Sequence, residues 1–177
     1  MSLMLTVVME CCNQEAELAK TLTGLVSAAV EGLVSDVMIL DRGSTDGSAR
    51  VADAAGCRFH ESGTLHDALE TLRGEWLLLI EPGARLQQGW IEEVMGYMTL
   101  NREPAKFSLM RRYRRHWLQR IVSRPPPLEQ GLLLRKQQAQ TAARPGTDLS
   151  TCAGHWKSIT LRSEIVPARV ARAAASL

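Results

Sequence analysis

Residues 76–80, Trp-Leu-Leu-Leu-Ile, are apolar at every position and stop at Glu81-Pro82-Gly83. A strand with one wet face alternates apolar and polar residues. An unbroken apolar run closed by turn residues therefore predicts a strand covered on both faces, as in the middle of a parallel sheet. Leu3–Met9 has the same character, with β-branched residues at its centre, and Val37–Leu40 is a shorter version ending at Asp41. Between these two runs, Leu18, Leu22, Leu25, Val26 and Ala29 recur at helical spacing from Glu15, predicting an amphipathic helix capped by Asn13 and ending near Gly32. Ser48–Ala55 predicts a second helix, Cys57–His60 a third strand, Leu65–Leu72 a further helix, and the stretch after Trp90 through Met98 another. Strands and helices alternating at these lengths predict an α/β fold with a doubly wound, mostly parallel sheet flanked by helices.

Past Asn101 the pattern thins. Tyr113–Val122 reads as a basic helix that Pro125-Pro126-Pro127 must break, Leu132–Leu134 and Ser158–Leu161 as strands, and the end as a basic, Ala-rich tail. The 177 residues suit one domain over 1–177, and a hydrophobic share of 45% with 23% charged residues excludes a disordered or fibrous chain. A net charge of +2 gives no reason to expect a polyanionic partner, and no nucleic-acid motif accompanies the Arg cluster, so no specific nucleic acid is expected. Cys11, Cys12, Cys57 and Cys152 lack metal or redox spacing and read as buried reduced thiols, while the four histidines are too scattered for a zinc site. Met1–Met9 lacks the basic leader and cleavage site of a signal peptide, and no apolar run reaches the roughly 20 residues of a membrane span. The expected location is the cytoplasm.

In an open parallel sheet, ligands bind beyond the carboxyl ends of the strands. Three loops directly follow a predicted strand: Glu10–Asn13, Asp41–Ser48 and Glu81–Arg85. An Asp at a strand end can accept hydrogen bonds from ribose hydroxyls or a base N–H, and Gly43 and Gly47 allow tight turns beside it. The same stretch also reads as a plain turn in which Asp46 caps a helix. Phosphate-binding loops of the GxGxxG or GxxxxGK[ST] kind are absent from the sequence.

The segments Val7-Val8-Met9-Glu10-Cys11-Cys12-Asn13-Gln14-Glu15, Asp41-Arg42-Gly43-Ser44-Thr45-Asp46-Gly47-Ser48 and Gly74-Glu75-Trp76-Leu77-Leu78-Leu79-Ile80-Glu81, in this order and spacing, resemble family 2 glycosyltransferases of the GT-A fold. The resemblance covers about the first hundred residues, a nucleotide-binding half. Residues 101–177 form a divergent, acceptor-side half. It implies a transferase of bacterial type that moves a sugar from a nucleotide-diphosphate donor to a hydroxyl acceptor, with a single base and hence inverting. Glu10, Asn13, Asp41, Ser44 and Asp46 would hold the nucleotide. Family members carry Asp-x-Asp in the third loop, where a divalent metal, Mg2+ or Mn2+, bridges the donor's diphosphate. Glu81, Pro82 and Gly83 stand at those positions, a degenerate motif in which one acid is kept and one is missing. Glu81 reads equally as a weak metal ligand or as a solvated acid of a Pro-Gly turn.

Glu129-Gln130-Gly131 followed by Leu132–Lys136 is similar to a second motif of some members, which places Arg135 at phosphate or acceptor and makes Asp148 the position for the base. Both also read as solvated surface residues. The stretch 111–124, with Tyr113, Trp117 and Ile121 among its arginines, suits peripheral contact with an anionic membrane face and a lipid-linked acceptor, or a solvated helix face. The missing second acid also fits a degenerate, non-catalytic nucleotide-binding or regulatory protein. The sequence leaves the oligomeric state, nucleotide base, sugar and acceptor open.

Overall fold

The computed structural model describes residues 4–114, 126–154 and 156–175. The region 115–125, which holds most of the basic stretch, lies outside the described residues, and so does the membrane-contact expectation placed there. Eight strands form one sheet in the order β3-β2-β1-β4-β7-β6-β8-β5. They are β1 (Leu5–Cys11), β2 (Val34–Asp41), β3 (Arg58–Glu61), β4 (Trp76–Leu79), β5 (Arg85–Leu86), β6 (Ala105–Leu109), β7 (Leu132–Arg135) and β8 (Ile159–Val166). Among the described residues the α-helices are α1 (Glu15–Val30), α2 (Ser48–Ala54), α3 (Leu65–Leu69), α4 (Trp90–Leu100), α5 (Lys136–Ala142), α6 (Leu149–Ala153) and α7 (Ala168–Ala175).

Strands β3, β2, β1 and β4 run parallel, and their apolar runs are divided by the pleat between two cores. Leu5, Val7 and Met9 of β1 with Trp76 and Leu78 of β4 face one core, which α1 and α4 cover through Leu18, Leu22, Leu25, Ile91 and Val94. Val8, Leu77 and Leu79 face the other, closed by α3, α5 and α6 through Leu65, Leu69, Ala139 and Leu149. Being needed on both sides is why residues 7–9 of β1 and the whole of β4 carry no polar side chain.

The chain moves outward from β1 to β2 to β3, then returns to place β4 on the other side of β1. The direction of winding therefore changes between β1 and β4, and a crevice opens beyond their carboxyl ends. From there the sheet becomes mixed. Strand β7 pairs antiparallel with β4, β6 antiparallel with β7, and β8 parallel with β6.

Several boundaries differ from the sequence expectation for physical reasons. Asn13 does not cap α1: its backbone is left-handed (φ 51°), and its side chain turns to the second loop. Helix α3 stops at Leu69, five residues long, with Thr64 and Asp67 in a reciprocal capping box. The Ala-rich tail is helix α7, and the small, polar stretch after β7 holds two short helices. The thiols do not share one environment. Cys11 and Cys152 are buried, Cys57 is half-buried and Cys12 is exposed. Burial, reinforced by the Asp36 carboxylate, pushes the Cys57 thiol up to about 11, so it stays protonated at neutral pH.

Candidate active site

The first two loops are fastened to each other. Asn13 N–H donates to Ser44 Oγ at 3.0 Å, and Asn13 Oδ1 accepts from the N–H groups of Thr45 (2.8 Å) and Asp46 (3.3 Å). Asp46 reaches back: its Oδ2 accepts from Glu15 N–H at 3.0 Å, the first residue of α1, and its Oδ1 from Ser48 N–H at 3.0 Å, the first of α2. One carboxylate thus satisfies a free N–H at the start of each of two helices, which leaves it ionised below the usual carboxylate range, chiefly through hydrogen bonding with Ser48. Glu15 closes the ring by accepting from Gly47 N–H at 3.1 Å. The approach is so close that a Cβ on Gly47 would lie 2.3 Å from that carboxylate.

Asp41, at the end of β2, is 4% exposed. Its Oδ2 accepts from Gly43 N–H and Ser44 N–H, both at 3.0 Å, shaping the turn that Gly43 makes possible at φ 84°. Its Oδ1 is buried and has no hydrogen-bond donor. An orphaned buried carboxylate oxygen costs on the order of 1–3 kcal/mol, which a donor reaching it through a small opening of the loop would offset in part.

Glu10 sits at the end of β1 and binds the Arg42 guanidinium at 3.1 Å. It also accepts from Leu149 N–H at 2.9 Å, which draws the start of α6 over the crevice. Asp148 is therefore brought beside the first loop, although it follows β1 by more than half the chain. It caps α6 by accepting from Thr151 N–H at 2.7 Å, and hydrogen bonding with Thr151, helped by Arg42, holds its carboxyl below the usual range. Between these groups lies a cavity of about 150 Å³ whose lining includes Glu10, Gln14, Glu81, Leu128, Ser150 and Arg172.

The third loop is closed from outside its own sequence. Glu81 pairs with Arg172 of α7 at 3.0 Å. Gly83 has φ +97° and donates its N–H to Thr21 Oγ at 2.8 Å. A Cβ at this position would stand 3.1 Å from Ala171 Cβ, 3.3 Å from the Ala168 carbonyl and 3.3 Å from Glu17 Cγ. Among the described residues no three His, Cys, Asp or Glu side chains gather as a metal would need. With one carboxylate neutralised by a guanidinium and a glycine at the other position, left-handed and crowded by α7, these residues do not fit the two-acid metal site of the family resemblance.

Arg135 lies elsewhere. Because β7 runs antiparallel to β4, Arg135 pairs with Trp76 at the start of that strand, at the opposite end of it from Glu81. There its guanidinium stands 6.0 Å from the Trp76 ring, and it cannot reach a phosphate in the crevice. The residues that sequence reasoning missed are Arg42, Arg169 and Arg172. Arg169 pairs with the buried Glu129 at 2.7 Å. The spacing of Arg169 and Arg172, three apart in an Ala-rich tail, was the available signal, since it places both on one helix face.

No protein-family profile matches the chain, and no curated protein matches it by sequence. Among solved structures it is similar to glucosyl-3-phosphoglycerate synthase from Mycobacterium tuberculosis. The complex of that protein with Mn2+, uridine diphosphate and phosphoglyceric acid superposes with a TM-score of 0.66 at 16% identity, over 92% of this chain and 70% of that one. The complex with Mn2+, uridine diphosphate and glucosyl-3-phosphoglycerate gives 0.63 at 16% identity, over 92% and 71%. The likeness shows the fold: this chain has the mixed, mostly parallel eight-stranded sheet of GT-A proteins.

Proposed function

We propose that the chain is a glycosyltransferase that moves a sugar from a nucleoside diphosphate donor to a hydroxyl acceptor. The observation that carries this reading is Asp41, a buried carboxylate with one oxygen lacking a donor, placed beyond a parallel strand beside the crevice where winding reverses. A ribose hydroxyl or base N–H supplies the missing donor. The solved structures of the same fold contain uridine diphosphate, which supports the choice of ligand class. Asn13, Ser44 and Asp46 serve this site by fixing the two loops, since Asn13 Oδ1, Ser44 Oγ and the Asp46 carboxylate each accept a backbone N–H within them. Residues 101–177 supply the acceptor side.

The chemistry is one displacement. The acceptor oxygen forms its bond to the anomeric carbon as the bond to the diphosphate oxygen breaks, so configuration inverts. The acceptor proton passes to Asp148, the carboxylate that α6 holds beside the first loop. Asp148 is ionised at neutral pH, as any carboxylate below the usual range is, and is thus free to accept a proton.

Thermal unfolding with UDP, GDP, CDP and dTDP tests the reading, because a ligand bound to the folded state raises its stability. One diphosphate is expected to stabilise the wild type, with Asp41→Asn losing at least about tenfold in affinity, near 1.4 kcal/mol. Asp148→Asn is expected to keep that binding and lose turnover of the matching sugar nucleotide. No stabilisation by any of the four would overturn the reading in favour of a non-catalytic protein.

A further inference from the structure

The crevice carries, at the end where the nucleotide reading places the diphosphate, a charge arrangement of its own, whose role in binding rests on that reading. Helix α7 does two things at once. Ala168 and Ala171 press on Gly83, closing the position of a second acid, and Arg172 of the same helix brings a guanidinium to the first acid, Glu81, at 3.0 Å. Arg169, one turn earlier, anchors the helix through Glu129, which is 3% exposed, and through the Tyr113 carbonyl. Arg172 and Glu81 both line the crevice cavity, whose volume of about 150 Å³ suits a pair of phosphates better than a whole nucleotide sugar.

We infer that the Arg172 guanidinium holds the donor's diphosphate in this protein, in the place where a metal-clamped site would put its cation. A guanidinium presents donors in a planar fork that matches phosphate oxygens, and it stays charged at any working pH. Glu81 is then a placeholder. It neutralises Arg172 while the site is empty and yields it to the phosphates when they enter, turning toward solvent from a position in which its side chain is already 28% exposed.

This arrangement predicts a sign that a metal site would reverse. In a metal site Glu81 is a ligand and its removal weakens binding. Here it competes with the diphosphate for one cation, and its removal strengthens binding. Isothermal titration of the full chain with UDP, GDP, CDP, dTDP and their nucleosides, in EDTA and in Mg2+ or Mn2+, separates the cases. The diphosphate that binds is expected to do so in EDTA with a Kd within about threefold of its value with metal, and Glu81→Gln is expected to tighten it about three- to tenfold. Arg172→Ala is expected to weaken the diphosphate about tenfold or more and the nucleoside by less than about twofold, with Arg172→Lys between, as a point charge without the fork. Circular dichroism confirms that each variant is folded, and Glu81→Gln decides the question even if Arg172→Ala is not. Binding that requires metal and is lost in Glu81→Gln would overturn the inference and leave the nucleotide reading standing. No binding of any nucleotide or nucleoside would overturn both.

Discussion

The loops after β1 and β2 and the loop after β4 all open on one crevice, yet they are held by opposite means. The first two are tied by short-range polar geometry: Asn13, Asp46 and Glu15 exchange hydrogen bonds across 31 to 33 residues of sequence. The third is held from distant helices, by Thr21 of α1 through Gly83 N–H and the Ala84 carbonyl and by α7 through Ala168, Ala171 and Arg172. A loop fixed by its own polar residues keeps its shape when its surroundings change. A loop fixed by a distant helix takes its electrostatics from that helix, and its own sequence is a poor guide to what it binds.

Gly83→Asp should break this contrast most severely. The change supplies the acid that the third loop lacks, but it forces a side chain into a left-handed backbone against α7. We expect a loss of about 2–3 kcal/mol. In a chain of 177 residues that lowers Tm by very roughly 4–12 °C, measurable by calorimetry. No metal-dependent nucleotide binding should appear, because the helix that excludes the side chain also holds Glu81.

Asn13→Ala tests the opposite region. It removes the acceptor for two loop N–H groups and puts alanine at φ 51°, and we expect a loss of about 1–2 kcal/mol in chemical denaturation. Asn13→Gly keeps the backbone freedom and loses only the carboxamide, so a smaller loss for glycine than for alanine separates strain from hydrogen bonding.

Asp46 sharpens the comparison through pH. Its folded pKa lies below the ordinary value of 3.8, so its contribution is fully present above that value and is lost as pH falls through the folded pKa. Asp46→Asn should therefore be less stable than the wild type above about pH 5, and the difference should shrink as pH falls through the titration of the folded carboxyl. Parallel stability curves for the two proteins over that range would mean that the carboxylate's charge does not bind the loops. The smallest effect belongs to Arg135→Ala, which should leave nucleotide affinity within about twofold, since Arg135 lies at the far end of the strands from the crevice.

The fold is readable from sequence where residues must satisfy two cores at once. Residues 5–9 and 76–80 leave almost no room for a polar side chain on either face, and that continuity names a central parallel strand. β6 and the two-residue β5 carry too little apolar sequence to show the same signal, and α5 and α6 are too short to display helical periodicity. The positions of Glu10 and Asp41 follow from the strands they end. Arg135 is misplaced by sequence alone because an apolar run identifies β7 as a strand without its direction, and direction decides which edge of the sheet its last residue meets. The spacing of Arg169 and Arg172 marks a helix face, but the Glu81 partner of Arg172 is chosen by how α7 packs, which that spacing does not encode.

The hydrogen bond from Leu149 N–H to Glu10 joins residues 139 positions apart, whereas those that knit the first two loops span about a quarter of that. Closing the longer span carries the larger entropic cost and belongs to the slower, non-local part of folding. A chain on its way to the native state would therefore order the loops after β1 and β2 before α6 and α7 seal the crevice. During that interval Glu10 would hold Arg42 but lack the Leu149 N–H, and Glu81 would face water without Arg172, so the pocket takes its final charge only in the last steps of folding.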